Sequence, residues 1–263
     1  MNIVACIKQV PDTETVIKIT ADGKDIESQG VKYIVNPYCE FAVEEAVRTK
    51  EKHAGSTVTV LSVGPARAKD ALRTTLAMGG DRAVHFVDDA FQNGDGHLTA
   101  ELLAAYLKTQ APDILFVGRQ AIDDDCAQVG PMLAGLLGFP FVSVINRLEF
   151  SPDQKKAKVQ REIEGGAEVF EVELPAVFSC QKGLNEPRYP ALKDIMQAKK
   201  KEIKELKAAD IGKSADELKA LSRTRVIKME YPTKRPPGRV LQGEPADVVK
   251  QLLTLLREEA KIL

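Results

Sequence analysis

Gly118-Arg-Gln-Ala-Ile-Asp-Asp-Asp-Cys-Ala-Gln-Val-Gly130 links a short apolar run, Ile114-Leu-Phe-Val117, to an apolar segment from Ala127 to Leu137. The run is brief, β-prone and followed at once by a turn signal, so it predicts a buried strand. The later segment predicts a helix, with Asp123, Asp124 and Asp125 as candidate caps at its start. A strand whose loop feeds a helix N-terminus is where α/β proteins bind nucleotides. The unpaired amides of that first turn can hold an anion without a lysine. Three carboxylates beside a phosphate would repel it, so the aspartates read as caps, as partners for ribose hydroxyls, or as a solvated helix start. Neither a dinucleotide fingerprint nor a Walker lysine loop occurs. The only Gly-x-Gly, Gly94-Asp-Gly96, reads as a plain loop.

Outward from this stretch, the chain alternates strand and helix. Ile3–Ile7, Thr57–Leu61, Ala83–Val87 and Ile114–Val117 read as strands. Helices are expected over Pro37–His53, Ala66–Met78 and Leu98–Thr109. This predicts an α/β fold with a doubly wound, mostly parallel sheet of the Rossmann-like adenine-nucleotide-binding kind. Right-handed crossovers then bring Cys6, Val63 and Gly118 to one rim, around one crevice. Asn36-Pro37, a cap followed by proline in the first turn, is a second candidate anion site. Val16–Thr20 alternates before the turn Ala21–Lys24, suggesting an added β-hairpin. Past Pro140 the pattern changes to short alternating strands at Phe141–Ile145, Leu148–Phe150, Ala157–Ile163 and Val169–Val172, and Ala176–Cys180 returns to an apolar strand.

The loop Gly183–Leu192 holds two prolines and offers Leu, Tyr and Arg before a helix. It reads as a docking element, or Leu192 is simply a staple at that helix start. Residues 1–200 are expected to form the nucleotide-binding domain. Residues 201–263 are expected to form a C-terminal arm with a possible strand at Arg223–Met229, a Pro-rich linker at 232–238 and a terminal amphipathic helix at Pro245–Ile262. That helix could cap its own domain or pack on a partner subunit.

Composition narrows the function. With 37 basic and 38 acidic residues the net charge is −1, which argues against nucleic acid or an anionic membrane as the main partner. Cys6, Cys39, Cys126 and Cys180 form no Cys-x-x-Cys, so reduced thiols and no metal site are expected. His53, His85 and His97 lie near no sequence-adjacent nucleophile, so no catalytic residue is expected. The opening Met1-Asn-Ile-Val-Ala-Cys-Ile7 reads as a strand, and no signal or transit segment is expected.

Five ordered motifs carry a resemblance. They are Val35-Asn-Pro-Tyr-Cys-Glu-Phe-Ala-Val-Glu-Glu-Ala-Val47, Ala77-Met-Gly-Gly-Asp-Arg82, Gly118-Arg-Gln-Ala-Ile-Asp-Asp-Asp-Cys126, Arg161-Glu-Ile-Glu-Gly-Gly166 and Leu184-Asn-Glu-Pro-Arg-Tyr189. Together they resemble the beta (small) subunit of the electron-transfer flavoproteins. The resemblance implies an αβ heterodimer that carries electrons from acyl-CoA-type dehydrogenases to a membrane quinone oxidoreductase, in the bacterial cytoplasm or the mitochondrial matrix. It implies FAD held mainly by the alpha subunit and a structural AMP in this chain. The implied AMP contacts are Cys6, Asn36, Pro37, Tyr38, Cys39, Val63, and the loop Gly118, Arg119, Gln120, Ala121, Ile122, Asp123, Asp124, Asp125, Cys126, Ala127, Gln128 and Val129. Leu192, with Tyr189 and Arg188, is implied in docking the dehydrogenase, and Glu162 in steering the mobile flavin domain.

Departures from the family pattern leave a second reading. Ala127 and Val129 stand where mitochondrial-type relatives have Asn and Thr, so phosphate contacts would fall to backbone amides. Lys8-Gln-Val-Pro-Asp-Thr13 and Ala127-Gln-Val-Gly-Pro131 resemble the electron-bifurcating branch, in which a second FAD replaces AMP and NADH is oxidised. Asp124 in place of that branch's glycine, together with the Leu-Asn-Glu-Pro-Arg-Tyr segment, favours AMP. Thr13 replaces a flavin-side tyrosine, leaving Tyr38 as the aromatic candidate. A stand-alone ATP-binding stress-type protein is the third possibility.

Overall fold

Aliphatic and β-branched runs supply the strands, and the amphipathic segments between them cover the sheet on both faces. The computed structural model describes every residue except 92, 93 and 236, and every side chain of those except that at 215. Position 236, within the linker expected at 232–238, thus lies outside the described residues. The chain divides into two units, Met1–Ile227 and Lys228–Leu263.

In chain order the first unit holds β1 (Asn2–Ile7), β2 (Gln9–Pro11), β3 (Tyr33–Val35), α1 (Pro37–Lys52), β4 (Thr57–Val63), α2 (Ala68–Met78), β5 (Arg82–Phe86), α3 (Gly96–Gln110), β6 (Ile114–Gly118) and α4 (Val129–Leu137). It continues with β7 (Phe141–Phe150), β8 (Lys156–Ile163), β9 (Gly166–Glu173), β10 (Ala176–Cys180), α5 (Leu192–Ala198), β11 (Ile203–Leu206) and α6 (Ala215–Leu221). Nine strands form one sheet in the order β11-β5-β4-β1-β6-β10-β7-β8-β9. Pairing is parallel from β11 to β7 and antiparallel through β8 and β9. The expected mostly parallel α/β sheet is therefore present.

One sheet face, with Ile3, Ala5, Val60, Ile114, Phe116 and Phe178, packs on α1 and α2. The other, with Val4, Cys6, Leu61, Leu115 and Val117, packs on α3 and α4. The chain leaves β1 for the α1 face and leaves the neighbouring β6 for the α4 face. The connections beyond their carboxyl ends consequently diverge and open a crevice, the topological switch point at which such sheets bind ligands.

Several local expectations change. Val16–Thr20 forms no ladder, and only an isolated bridge links Ile19 to Ile26. The excursion is closed instead by the short antiparallel pair of β2 with β3. Phe141–Phe150 is one strand, not two. Val144 takes φ 52 there, an outlying conformation for a β-branched residue, and its amide donates to Ser179 Oγ at 2.7 Å where the β7–β10 register shifts. Residues 201–227, read as the start of the arm, belong to the first unit, because β11 pairs with β5 at the sheet edge. Arg223–Met229 forms no strand. In the second unit the helix α7 spans Pro245–Thr254 and ends in a wide turn at Leu255–Glu259, short of the expected Ile262.

Candidate functional site

The crevice at the β1–β6 switch point encloses about 450 Å³, within the range of small-molecule sites. Its walls come from the ends of β1, β4 and β6, the first turns of α1, α3 and α4, and the segment Thr224–Val226. Of the residues expected here, Cys6, Asn36, Cys39, Val63, Gly118, Arg119, Gln120, Ala121, Asp124, Cys126, Ala127, Gln128 and Val129 line it. Pro37, Tyr38, Ile122, Asp123 and Asp125 do not.

Asn36 organises the loop, though not as a side-chain cap. Its backbone carbonyl accepts from the Cys39 and Glu40 amides, while its side chain makes no capping bond. The Asn36 Nδ2 donates to the Gln120 carbonyl at 2.8 Å and its Oδ1 accepts from the Ile122 amide at 3.1 Å. This clamp pulls the β6 loop onto the start of α1. Gly118 permits the approach: a Cβ there would lie 2.9 Å from both the Cys39 nitrogen and the Tyr38 carbonyl carbon.

The three aspartates do not cap α4, which begins only at Val129 with no side-chain cap. Each is held elsewhere. Lys8 Nζ donates to Asp123 Oδ1 at 2.8 Å and to Asp124 Oδ2 at 2.9 Å. Asp124 Oδ1 accepts from the Cys126 amide at 3.0 Å, and Asp125 accepts from Gln120 Nε2 at 2.7 Å. Burial pushes the Asp124 carboxyl up, but the Cys126 amide and Lys8 outweigh it and hold it below the ordinary carboxylate range. By contrast the amides of Ala127, Gln128, Val129 and Gly130 donate to nothing among the described residues. Asp125 and Ala127 both sit in the left-handed region, at φ 53 and 52, a strained run that leads into these free donors.

Ser62 lines the crevice at 1% exposure, and its hydroxyl has no partner among the described residues. Beside it in the β4–β5 register is His85, whose Nε2 lies 3.1 Å from the Gly64 carbonyl while its buried Nδ1 is unpartnered. Burial holds the His85 pKa below the ordinary histidine value, against the opposing pull of the Gly64 carbonyl. Burial likewise pushes the Cys6 thiol up to about 12, with the neighbouring Cys39 adding to it, and raises Cys39 as well. Neither is a reactive thiolate. His97 Nδ1 meets the Leu221 carbonyl at 2.8 Å and His53 packs edge-on to Phe150. No metal-binding cluster of His, Cys, Asp or Glu occurs among the described residues.

Lys8, Ser62, Asp95 and Thr224–Val226 were not expected at the crevice. The rim rule that placed Cys6 there extends to Lys8, two residues further on. Ser62, next to Val63, follows in the same way. Asp95, read as part of a plain loop, caps α3 by accepting from the Leu98 amide at 3.0 Å. Its other oxygen accepts from the Arg223 amide at 2.7 Å and from the Thr224 amide and hydroxyl at 2.8 and 3.1 Å. Those bonds, against the opposing pull of burial, hold the Asp95 carboxyl down to about 2. They fix residues 223–224 next to the wall.

A family model described as the electron transfer flavoprotein domain matches residues 24–211. Electron transfer flavoprotein subunit beta from Bacillus subtilis is 41% identical over all of both chains. The subunit from Mus musculus is 39% identical over all of this chain and 99% of its own, and the mitochondrial one from Oryza sativa is 37% identical over all of both. The chain belongs to the electron transfer flavoprotein beta-subunit family. It is thus akin to electron-transfer proteins, not to stand-alone ATP-binding stress proteins. No described helix is long and apolar enough to cross a membrane.

In this beta-family chain the loop before α5 forms a second surface. Tyr189 is 99% and Leu192 75% exposed, and Ile195 and Met196 are exposed on the helix that Leu192 begins. Leu192 is therefore no staple. Arg188 is spent inside the chain: its Nε donates to Glu44 Oε2 at 2.8 Å, and its Nη1 and Nη2 to Glu51 at 2.6 and 3.1 Å. Glu44 is only 2% exposed and also takes Arg48 Nε at 2.7 Å. Burial raises Glu44, but these arginines overcome it and hold the carboxyl low. Asn185 Nδ2 adds bonds to the Phe41 carbonyl and to buried Glu45. Glu162 is exposed on β8 and has no ion pair among the described residues, whereas its neighbour Arg161 pairs with Glu168.

Proposed function

We propose that this chain is the beta subunit of an electron transfer flavoprotein heterodimer. It holds AMP in the β1–β6 crevice and docks acyl-CoA-type dehydrogenases through the Tyr189–Leu192 loop. FAD held mainly by the alpha subunit then accepts the electrons and passes them to a membrane quinone oxidoreductase. The observation that carries the adenylate reading is the run of free amides from Ala127 to Gly130 at the start of α4. Backbone donors at a helix N-terminus suit a phosphate, and the nearby carboxylates are occupied elsewhere.

The fit extends to the rest of the crevice. The Ser62 hydroxyl offers a buried hydrogen-bonding group, and Val63, Leu103 and Val117 offer apolar wall for a base. The chain's own contribution is to bind, orient and exclude water, with no acid–base pair or nucleophile required, because the flavin supplies the redox chemistry. The exposed Leu192, Ile195 and Met196 suit an apolar anchor, and Glu162, exposed and unpaired on β8, suits steering of a mobile flavin domain. The apolar residues of α7, with Val249, Leu252 and Leu253 exposed, suit burial on the alpha subunit.

Reduction by donors tests this reading. The heterodimer is expected to be reduced rapidly by a substrate-loaded acyl-CoA-type dehydrogenase and not by NADH. Direct reduction by NADH, with dehydrogenase inert, would replace it with the bifurcating reading and a second FAD in place of AMP.

A further inference from the structure

Resting on the adenylate reading, one electrostatic question remains: how an anion is retained next to Asp123, Asp124 and Asp125. Unpaired carboxylates at the crevice mouth would repel a phosphate by charge alone. Asp125 is held by a neutral amide, Gln120 Nε2, which leaves its charge in place but turns it to the loop. Asp123 and Asp124 are met by a full positive charge. Lys8 Nζ, 115 residues distant in sequence from Asp123, bridges both within 2.9 Å from the end of β1.

Lys8 and Asp124 both line the crevice, so the bridge is part of its wall. The other cations on that wall leave these aspartates to Lys8: Arg119 Nη1 donates to Gln181 at 3.1 Å, and Arg225 makes no ion pair with them among the described residues. Two further features of the same crevice suit a polar ligand. They are the buried, unpartnered Ser62 hydroxyl and the free amides of Ala127 to Gly130.

We propose that Lys8 is a positioning residue that cancels the charge of Asp123 and Asp124 and draws the loop across β1, so that the amides beyond it can hold a phosphate. Lys8 acts through the aspartates and not by touching the nucleotide. The distinction is measurable, because a lysine that bound phosphate directly could not be replaced by removing acids.

The test uses the full heterodimer with AMP as the probe. Lys8→Met should weaken AMP binding about tenfold or more. The loss should shrink at high salt, which screens the uncompensated carboxylates. Adding Asp123→Asn and Asp124→Asn to Lys8→Met should restore affinity to within about threefold of wild type, and Lys8→Arg should retain it. Full AMP retention in Lys8→Met would overturn the proposal, as would a triple variant that binds as weakly as the single one. A wild-type heterodimer with no AMP would instead overturn the adenylate reading beneath it.

Discussion

Asn36 and Gln120 meet across 84 residues of sequence: the Asn36 side-chain amide donates to the Gln120 carbonyl at 2.8 Å. The same side chain accepts from the Ile122 amide, so one residue fixes the height of the loop over α1. Asn36→Ala leaves a carbonyl and an amide unpaired, which should destabilise the fold by about 1–3 kcal/mol and lower retained adenylate. Asn36→Asp keeps the acceptor for Ile122 but sets an oxygen against the Gln120 carbonyl, so its loss should be at least as large. Thermal unfolding and nucleotide content of the two variants check this, and unchanged content in both would remove the clamp from the site.

Gly118 tests the same junction from the other side. A Cβ placed 2.9 Å from main-chain atoms of α1 cannot be absorbed by a side-chain rotation. Gly118→Ala should cost about 1–3 kcal/mol as overpacking and open the crevice. Denaturant unfolding is the measurement, with wild-type stability as the contrary outcome.

Leu192 and Arg188 lie in one loop and should behave oppositely. Leu192→Ala removes an exposed side chain, so stability should stay within about 0.5 kcal/mol of wild type while reduction by the dehydrogenase slows. Arg188→Met leaves the buried Glu44 carboxylate with Arg48 as its one ion-pair partner among the described residues and should destabilise by about 1–3 kcal/mol, with Glu44 rising toward the ordinary carboxylate range. Stopped-flow reduction and thermal unfolding on both variants separate docking from anchoring. Equal loss of stability in the two would contradict the division.

Asp95 makes a pH prediction. Its carboxyl is lowered from 3.8 to about 2 in the folded chain. A depressed acid stabilises fully above its unfolded value and loses that contribution as pH falls through the folded one. The stability difference between wild type and Asp95→Asn should therefore be constant above about pH 5 and shrink as pH falls toward 2. Amide exchange at Arg223 and Thr224 should quicken over the same window. A difference independent of pH would mean that the charge of Asp95 adds nothing to the bonds it accepts.

The sheet was legible because strand and helix periods alternate locally, and the rim followed from the handedness of the crossovers. Cys6, Val63 and Gly118 could thus be grouped before their contacts were known. The aspartates were misread because a cap and an ion pair leave the same local signal. What separates them is Lys8, a partner 115 residues away. Asp95 was missed for the same reason, since Arg223 lies 128 residues further on. Arg188 looked exposed because nothing nearby in sequence announces Glu44 and Glu51 on α1. The Val16–Thr20 alternation stops at one bridge because its pairing with Asp25–Glu27 extends over a single turn of hairpin, with the Thr20 amide donating to the Asp25 carbonyl and the Glu27 amide to the Lys18 carbonyl.

The claim that free amides at the start of α4 hold an adenylate is tested most directly by denaturing the purified heterodimer and identifying what is released. One AMP and one FAD per heterodimer is the predicted result. Two FAD and no AMP, or no adenylate at all, would contradict it.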